Sequence, residues 1–483
     1  MLEFRDLRGF IDVVRGLGEL REVEGAELDL EAGAITEVAA SSSACPMILF
    51  RKVRGADDSY GLVTNLLHSR QRLAVALGLS PGCSGMEIVR QWKDKLTGWR
   101  PIEPALVPSA SAPVTANILR GESIDLTRLP APRWHELDGG RYLGAGVITL
   151  MKDPDAGWVN LGIYRLQLHD ARTLGLYISP GKQARKILAR YWEQGLACPV
   201  AISLGHDPRL FLAAAQFEPW GRSEYQLAGW LQGEPVRVVQ GELTGLPVPA
   251  DAEVVLEGSV PAPSVESRLE GPFGEATGYY ASSSRMEPVI KIDLMMYRDN
   301  PIMHGAPPMR PMGGMRHFAV DWRSAAIWND LEKLGITDVV GVWQYDLGVT
   351  VISLKQQYAG HAKAAALAAT ASRSSYLGRY VITVDEDIDP ANMEEVMWAL
   401  SSRTDPIESI DIIRGCWSTY LDARIPAEAK KRGELVSSRA VIDACRPFQW
   451  REDYAPVNRV STKMAREVIE KWGTVLKMGR AEG

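Results

Sequence analysis

Glu270 and Glu275 close the segment Glu-Gly-Pro-Phe-Gly-Glu at both ends, with four residues between them, three of which favour turns or unusual backbone angles. The residues before it (PSVESRLE) and after it (ATGYYASSS) both tolerate extended structure, so a reversal at GPFG would turn both carboxylates toward one pocket. Two carboxylates sharing a site cannot easily both ionise. One is then pushed toward its protonated form and becomes a proton donor near neutral pH. The plain alternative is a surface turn carrying two solvated glutamates. A second chemical candidate is Arg165, set in the apolar run WVNLGIYRLQLHD, which Asn160, Gly162, Tyr164, Gln167 and Asp170 interrupt. A guanidinium in such a run needs a partner. That partner is either a protein carboxylate, as a structural pair, or a substrate carboxylate bound bidentately. If the run is one half-buried strand, Asn160, Gly162 and Tyr164 share a face and Arg165 points to the other, unless a bulge re-aims it.

The elements that must position these groups fall into three stretches. Residues 1–110 alternate helical pattern with short apolar runs, beginning with an amphipathic helix whose face is Leu7, Phe10, Ile11 and Val14. The Pro-, Ala- and Ser-rich stretch from Arg100 to Ala116 reads as an exposed connection. Residues 111–320 have the texture of β-structure, with short Val-, Ile- and Tyr-rich runs between Gly, Pro and Asp clusters, and one helical insert at about 181–194. Residues 321–483 return to α/β alternation. In DIDPANMEEVMWALSSR, Asp389 is the expected cap and Pro390 the first helical position, with Met393, Val396, Met397 and Leu400 as a core-facing stripe. STKMAREVIEKW is the expected terminal helix. The fold class is therefore α/β (α+β), in three domains.

NLGIYRLQLHD followed about a hundred residues later by EGPFGEATGYY resembles the signature pair of the UbiD family of reversible decarboxylases. FRDLRGFIDVVRGLGEL, SEYQLAGWLQGEPV and VITVDEDIDPANMEEVMWALSSRTDP follow in the family's order, so the resemblance spans nearly the whole chain. It implies a central split β-barrel that binds prenylated FMN, with Arg165, Glu270 and Glu275 as the catalytic trio. It further implies that Asn160 and Glu224 bind a Mn²⁺-like divalent ion beside the cofactor phosphate, with K⁺ nearby, and that Arg379 contacts that phosphate. The family's usual histidine metal ligand has no counterpart. Gln183 stands at the aligned position in SPGKQAR, with Lys182 as the other candidate for holding metal or phosphate. Hard oxygen donors of this kind suit such cations. The implied reaction is non-oxidative decarboxylation of an aromatic, heteroaromatic or α,β-unsaturated acid with release of CO₂. A UbiX-type flavin prenyltransferase would supply the cofactor, and the protein would assemble as a homodimer or homohexamer. The rivals are a flavin-binding redox protein and a non-catalytic subunit of a multi-component carboxylase.

The remaining signals mostly exclude. A net charge of −6, with no basic run interleaved with aromatics, argues against a nucleic-acid partner. The first twenty residues carry acidic groups and no continuous apolar stretch, so neither a signal peptide nor a membrane span is expected there. Five scattered cysteines without a C-x-x-C pair fit reduced thiols and a cytoplasmic setting. His169 at a strand end and His206 in a turn read as structural. His304 and His317 bracket the loop GAPPMRPMGGMR, with Arg310 and Arg316, as a lid or pocket wall. Gly313-Gly314 is too weak a signal for a phosphate cradle.

Overall fold

The computed structural model describes residues 3–216, 218–310 and 316–476. Its centre is a sheet of nine strands. Seven of them run in the order Val159–Gly162, Val147–Lys152, Cys198–Leu204, Val254–Val260, Arg285–Tyr297, Thr173–Tyr177 and Arg165–Leu168. The first and last in this order are consecutive in the chain, separated only by Ile163 and Tyr164. A sheet whose outermost strands lie two residues apart must curl until its edges meet, and the right-handed twist of strands supplies the curl. The run WVNLGIYRLQLHD is thus two strands and not one. Asn160 and Arg165 sit on opposite lips of the split, and the break at Ile163-Tyr164 replaces the simple alternation expected for a single strand.

Cys198–Leu204 and Val254–Val260 are buried almost throughout, as expected for strands covered on both faces. The long strand Arg285–Tyr297 binds the sheet together, pairing with Val254–Val260, Thr173–Tyr177, Ser267–Glu270 and Asn117–Arg120. Its register with Val254–Val260 shifts between Glu257 and Gly258, where a Cβ would lie 1.9 Å from the Lys291 carbonyl oxygen. Only glycine fits there.

A four-stranded sheet takes Leu20–Glu24, Met47–Arg51 and Gly61–Thr64 from the N-terminal stretch and Ile302–His304 from the far end of the central one. The first helix, Leu7–Gly16, buries Leu7, Phe10, Ile11 and Val14, as its spacing requires. A five-stranded sheet lies in the C-terminal stretch, with the helices Arg316–Lys333 and His361–Ala371 packed on it. No helix among the described residues is long and apolar enough to cross a membrane.

Several expectations change. The 100–116 stretch is largely exposed, as expected, but it is pinned to the fold: Ala105–Leu106 pairs in parallel with Arg237–Gln240, and Val114 is fully buried. The central stretch holds two further helices, Pro208–Ala214 and Glu224–Gln232. Strand structure stops at Glu270 and resumes at Arg285, so ATGYYASSS is irregular. The helix after DIDP begins at Met393 and is capped by Asn392, whose side chain accepts from the Glu394 and Glu395 amides; Asp389 accepts from Ala391 one turn earlier. Of its apolar stripe only Val396 is fully buried, while Met393 and Met397 are exposed because the sheet meets a narrower face than the sequence offers. The terminal helix, Thr462–Trp472, leaves Met464, Val468 and Trp472 exposed.

Candidate active site

The split in the barrel opens into a cavity of about 270 Å³. The strand Arg165–Leu168 supplies Arg165 from one lip, and the strand Ser267–Glu270 ends by delivering Glu270. Gly271, at a φ of +87° that favours glycine, then begins the turn that returns Glu275 to the same wall. Arg165 Nε and Nη2 donate to the two oxygens of Glu270 at 2.8 and 2.7 Å, a bidentate fork, and Nη1 donates to Glu275 Oε1 at 2.9 Å. The Arg165 guanidinium also lies 4.2 Å from the centre of the Tyr177 ring. Glu270 is fully buried, and the Glu275 side chain is 12% exposed.

This geometry selects between the two readings of the sequence. The glutamates are not solvated, and the arginine in the apolar run has both as partners. Burial opposes the Arg165 charge, but Glu270 and then Glu275 more than restore it, so the guanidinium holds its proton more tightly than usual. Burial raises the proton affinity of Glu275; Arg165 opposes this and the neighbouring Glu270 reinforces it. One carboxyl biased toward its protonated form, beside a fixed cation, can receive an anionic substrate and give up a proton.

The opposite wall has another chemistry. Glu224, at the first position of its helix, is 2% exposed; its oxygens accept from Asn160 Nδ2 at 3.0 Å and the Leu161 amide at 2.7 Å. Asn160 Nδ2 also donates to Gln183 Oε1 at 3.1 Å, so the strand Val159–Gly162 and two helices bring the three side chains together. Burial pushes the Glu224 carboxyl up to about 8. Lys182, Arg323 and Arg373 line the cavity beside them. Burial, then Arg323 and Arg373, bring the Lys182 ammonium down to about 8.

Asn160, Arg165, Lys182, Gln183, Glu224 and Glu275 all line this cavity, and Glu270 holds Arg165 from behind. Arg379 does not line it. It pairs with Asp422 and faces a separate pocket, and the basic residues that do reach the cavity from the C-terminal stretch are Arg323 and Arg373. Nothing local marked them, because a single arginine on a helix or in a turn looks the same whatever lies across the fold from it. Tyr142, whose hydroxyl donates to Glu270 Oε1 at 3.1 Å, was equally invisible in an irregular segment without period. His206 and His304 are buried against Phe211, and burial lowers them to about 3 and about 4, so both stay neutral. His169 is lowered too, by burial first and then by Arg268. Ala306, Pro307 and Pro308 form cavity wall, whereas Arg310 is exposed. Gly313-Gly314 and the side chains of Arg316 and His317 lie outside the described residues.

The architecture has counterparts among solved enzymes. The vanillic acid decarboxylase of Sedimentibacter hydroxybenzoicus matches with a TM-score of 0.83 at 29% identity, covering 98% of this chain and 99% of that one. An evolved dimeric form of the UbiD-class enzyme HmfF from Pelotomaculum thermopropionicum, solved in complex with prenylated FMN, matches with a TM-score of 0.80 at 25% identity, covering 95% and 98%. The fold is that of the UbiD-class enzymes.

In sequence, the phenolic acid decarboxylase of Escherichia coli O157:H7 is 33% identical over 419 residues, which is 84% of this chain and 86% of that protein. The N-terminal, Rift-related and C-terminal domains of 3-octaprenyl-4-hydroxybenzoate carboxy-lyase match residues 11–92, 105–311 and 317–444. The chain belongs to the UbiD family of carboxy-lyases.

Proposed function

We propose that this chain decarboxylates an aromatic, heteroaromatic or α,β-unsaturated carboxylic acid reversibly with prenylated FMN, using Arg165, Glu270 and Glu275. The observation that carries this reading is the fixed pairing of Arg165 to both glutamates in the wall of a cavity whose other wall is cationic. The residues fit the cofactor. Lys182, Arg323 and Arg373 offer positive charge to a phosphate. The oxygens of Asn160, Gln183 and Glu224 make a hard donor set for a Mn²⁺-like ion beside it, with K⁺ as the accompanying monovalent ion. Bound prenylated FMN supplies the electron sink that decarboxylation needs.

The protein's part is then positioning and proton transfer. Arg165 spends one N–H on each of its three contacts with the glutamates, which leaves one hydrogen on Nη1 and one on Nη2 for a substrate carboxylate. Glu270 holds the guanidinium plane still. When the bond from carbon to the carboxyl group breaks, CO₂ departs and the electron pair remains with the substrate. The Glu275 proton then forms the new C–H bond, and the carboxylate left behind regains a proton from water. Carboxylation is the same sequence reversed.

The working protein on this reading is a homodimer or homohexamer in the cytoplasm, with its cofactor made by a UbiX-type flavin prenyltransferase. The test is co-expression with such a transferase, followed by a visible spectrum, the mass of the extracted cofactor, metal analysis and a CO₂-release screen of aryl, heteroaryl and α,β-unsaturated acids. A prenylated flavin with CO₂ release from one of these classes is expected. Cofactor-loaded protein that oxidises a nicotinamide and releases no CO₂ would overturn the reading.

A further inference from the structure

Two carboxylates facing one guanidinium hold a transferable proton usefully only if it resides on Glu275 and not on Glu270. Arg165 does not make that choice alone, since it donates to both. Tyr142 reaches just one of them. Its hydroxyl lies 3.1 Å from Glu270 Oε1, and its fully buried ring packs at 4.1 Å between centroids against Phe273, inside the turn that joins the two glutamates. Its other acceptors are neutral: Gln167 Oε1 at 3.3 Å, which already accepts the Gly271 amide at 3.0 Å, and the Pro272 carbonyl at 3.5 Å. Burial, and then the charge of Glu270, keep the phenol protonated well beyond its ordinary range, so it remains a donor. The distance is held from both sides. Gln167 Nε2 donates to the Gly139 carbonyl at 3.0 Å, and Gly139 approaches so closely that a Cβ there would lie 1.9 Å from the Gly271 oxygen.

We propose that Tyr142 is a positioning residue that keeps the proton of the Glu270–Glu275 pair on Glu275, by donating its hydroxyl to the Glu270 carboxylate. A hydrogen bond to the ionised form lowers proton affinity, and more strongly where water is excluded. Without the hydroxyl, Glu270 keeps only its Arg165 contacts and competes better for the proton. Once Glu270 is neutral, the Arg165 charge falls to Glu275, which is then held as a carboxylate and cannot donate. The other charges nearby work against this placement, because the cations beside Glu275 favour its ionised form and the anionic Glu287 favours a proton on Glu270, so the Tyr142 hydroxyl has to outweigh them. Arg285 and Lys430 act on Glu275 from the strand Arg285–Tyr297 and the helix Ala427–Lys431, and His169 and Glu287 act on the Glu270 side. All four are untouched by a change at position 142. The catalytic consequence rests on the decarboxylase reading; the location of the proton does not.

Tyr142→Phe keeps the ring and its contact with Phe273. Infrared difference spectra of the purified protein, with and without cofactor, locate the protonated carboxyl through Glu270→Gln and Glu275→Gln in each background. The parent band is expected to vanish with Glu275→Gln, and the Tyr142→Phe band to vanish with Glu270→Gln instead. In turnover, kcat is expected to fall roughly tenfold or more at nearly constant KM, with the high-pH limb of its profile moved to lower pH. An unmoved limb together with an unchanged band assignment overturns the proposal even if kcat drops, because a merely structural residue lowers activity without relocating the proton. Should Tyr142→Phe fail to fold, fluorotyrosine at position 142, a stronger donor, is expected to move the limb to higher pH; no movement again overturns the proposal. If the band relocates while no carboxylic acid yields CO₂, the functional reading fails and the proton placement stands.

Discussion

The two walls of the cavity handle charge in opposite ways. At the glutamate wall every charge already has its partner: Arg165 binds Glu270 and Glu275 at 2.7–2.9 Å, with Tyr142 behind. At the facing wall Lys182, Arg323 and Arg373 gather, and the Glu224 carboxyl accepts from the Asn160 side chain and the Leu161 amide. Paired charges are rigid before any ligand arrives, which is what positioning and proton transfer demand. Clustered like charges favour an incoming anion, which is what a phosphate-binding site demands. The comparison teaches that the reacting geometry is built into the apoprotein, whereas the cofactor end is completed by its ligand.

If the walls are independent, a change in one must leave the other intact. The largest effect belongs to Glu275→Gln, which removes the positioned acid and keeps its shape. Turnover is expected to fall on the order of 10²–10⁴-fold while the cofactor spectrum and occupancy stay at parent levels. Near-normal CO₂ release would break the assignment of the acid, and loss of the cofactor would break the independence of the walls. The parent enzyme carries a related pH signature. Glu275 must be protonated to donate, and burial raises its proton affinity. Decarboxylation is therefore expected to decline as pH rises through that elevated value, later than an ordinary glutamate would allow.

A smaller effect tests the facing wall. Gln183→His places an imidazole beside Asn160 and Glu224, and imidazole binds Mn²⁺-like ions better than an amide oxygen does. Mn²⁺ affinity, measured by titrating metal into the cofactor-loaded protein, is expected to rise about tenfold, with kcat at saturating metal little changed. Equal Mn²⁺ affinity in the two proteins would remove Gln183 from the ligand set.

The walls were also unequally legible in the sequence. EGPFGE announced itself because two carboxylates flanking turn-forming residues is a local pattern, and the GPFG reversal needs nothing from elsewhere. Arg165 was legible as a residue but not in its direction, because the break at Ile163-Tyr164 follows from closure of a sheet whose other strands lie up to about 130 residues away. The helix carrying Glu224 was missed although Ser223 caps it and Leu227 and Leu231 recur at helical spacing, since the β texture around it dominated. Arg323 and Arg373 reach the site through tertiary packing alone. The Met393–Met397 stripe misled for a related reason: periodicity shows that a face is apolar, not that anything covers it.

The smallest effect concerns a charge that belongs to neither wall. Asp321 lies two residues before Arg323 on the same helix, is 1% exposed, and among the described residues has no hydrogen-bond partner on either carboxyl oxygen. One turn further along, the Ser324 hydroxyl accepts the Gln344 backbone N–H at 2.9 Å, and among the described residues the Gln344 side chain likewise lacks partners. Burial, opposed only by Arg70, pushes the Asp321 carboxyl from 3.8 up to about 7. A group raised in the folded state contributes stability that is fully present below its unfolded value and is lost as pH climbs through the folded one. The parent should therefore lose stability between pH 4 and 8 through Asp321, and Asp321→Asn, which cannot ionise, should not. Melting curves are expected to favour the variant by roughly a few degrees at pH 8 and to converge near pH 4, with turnover unaffected. A constant offset across that range would mean that Asp321 holds its proton equally well folded and unfolded, and that burial does not raise it.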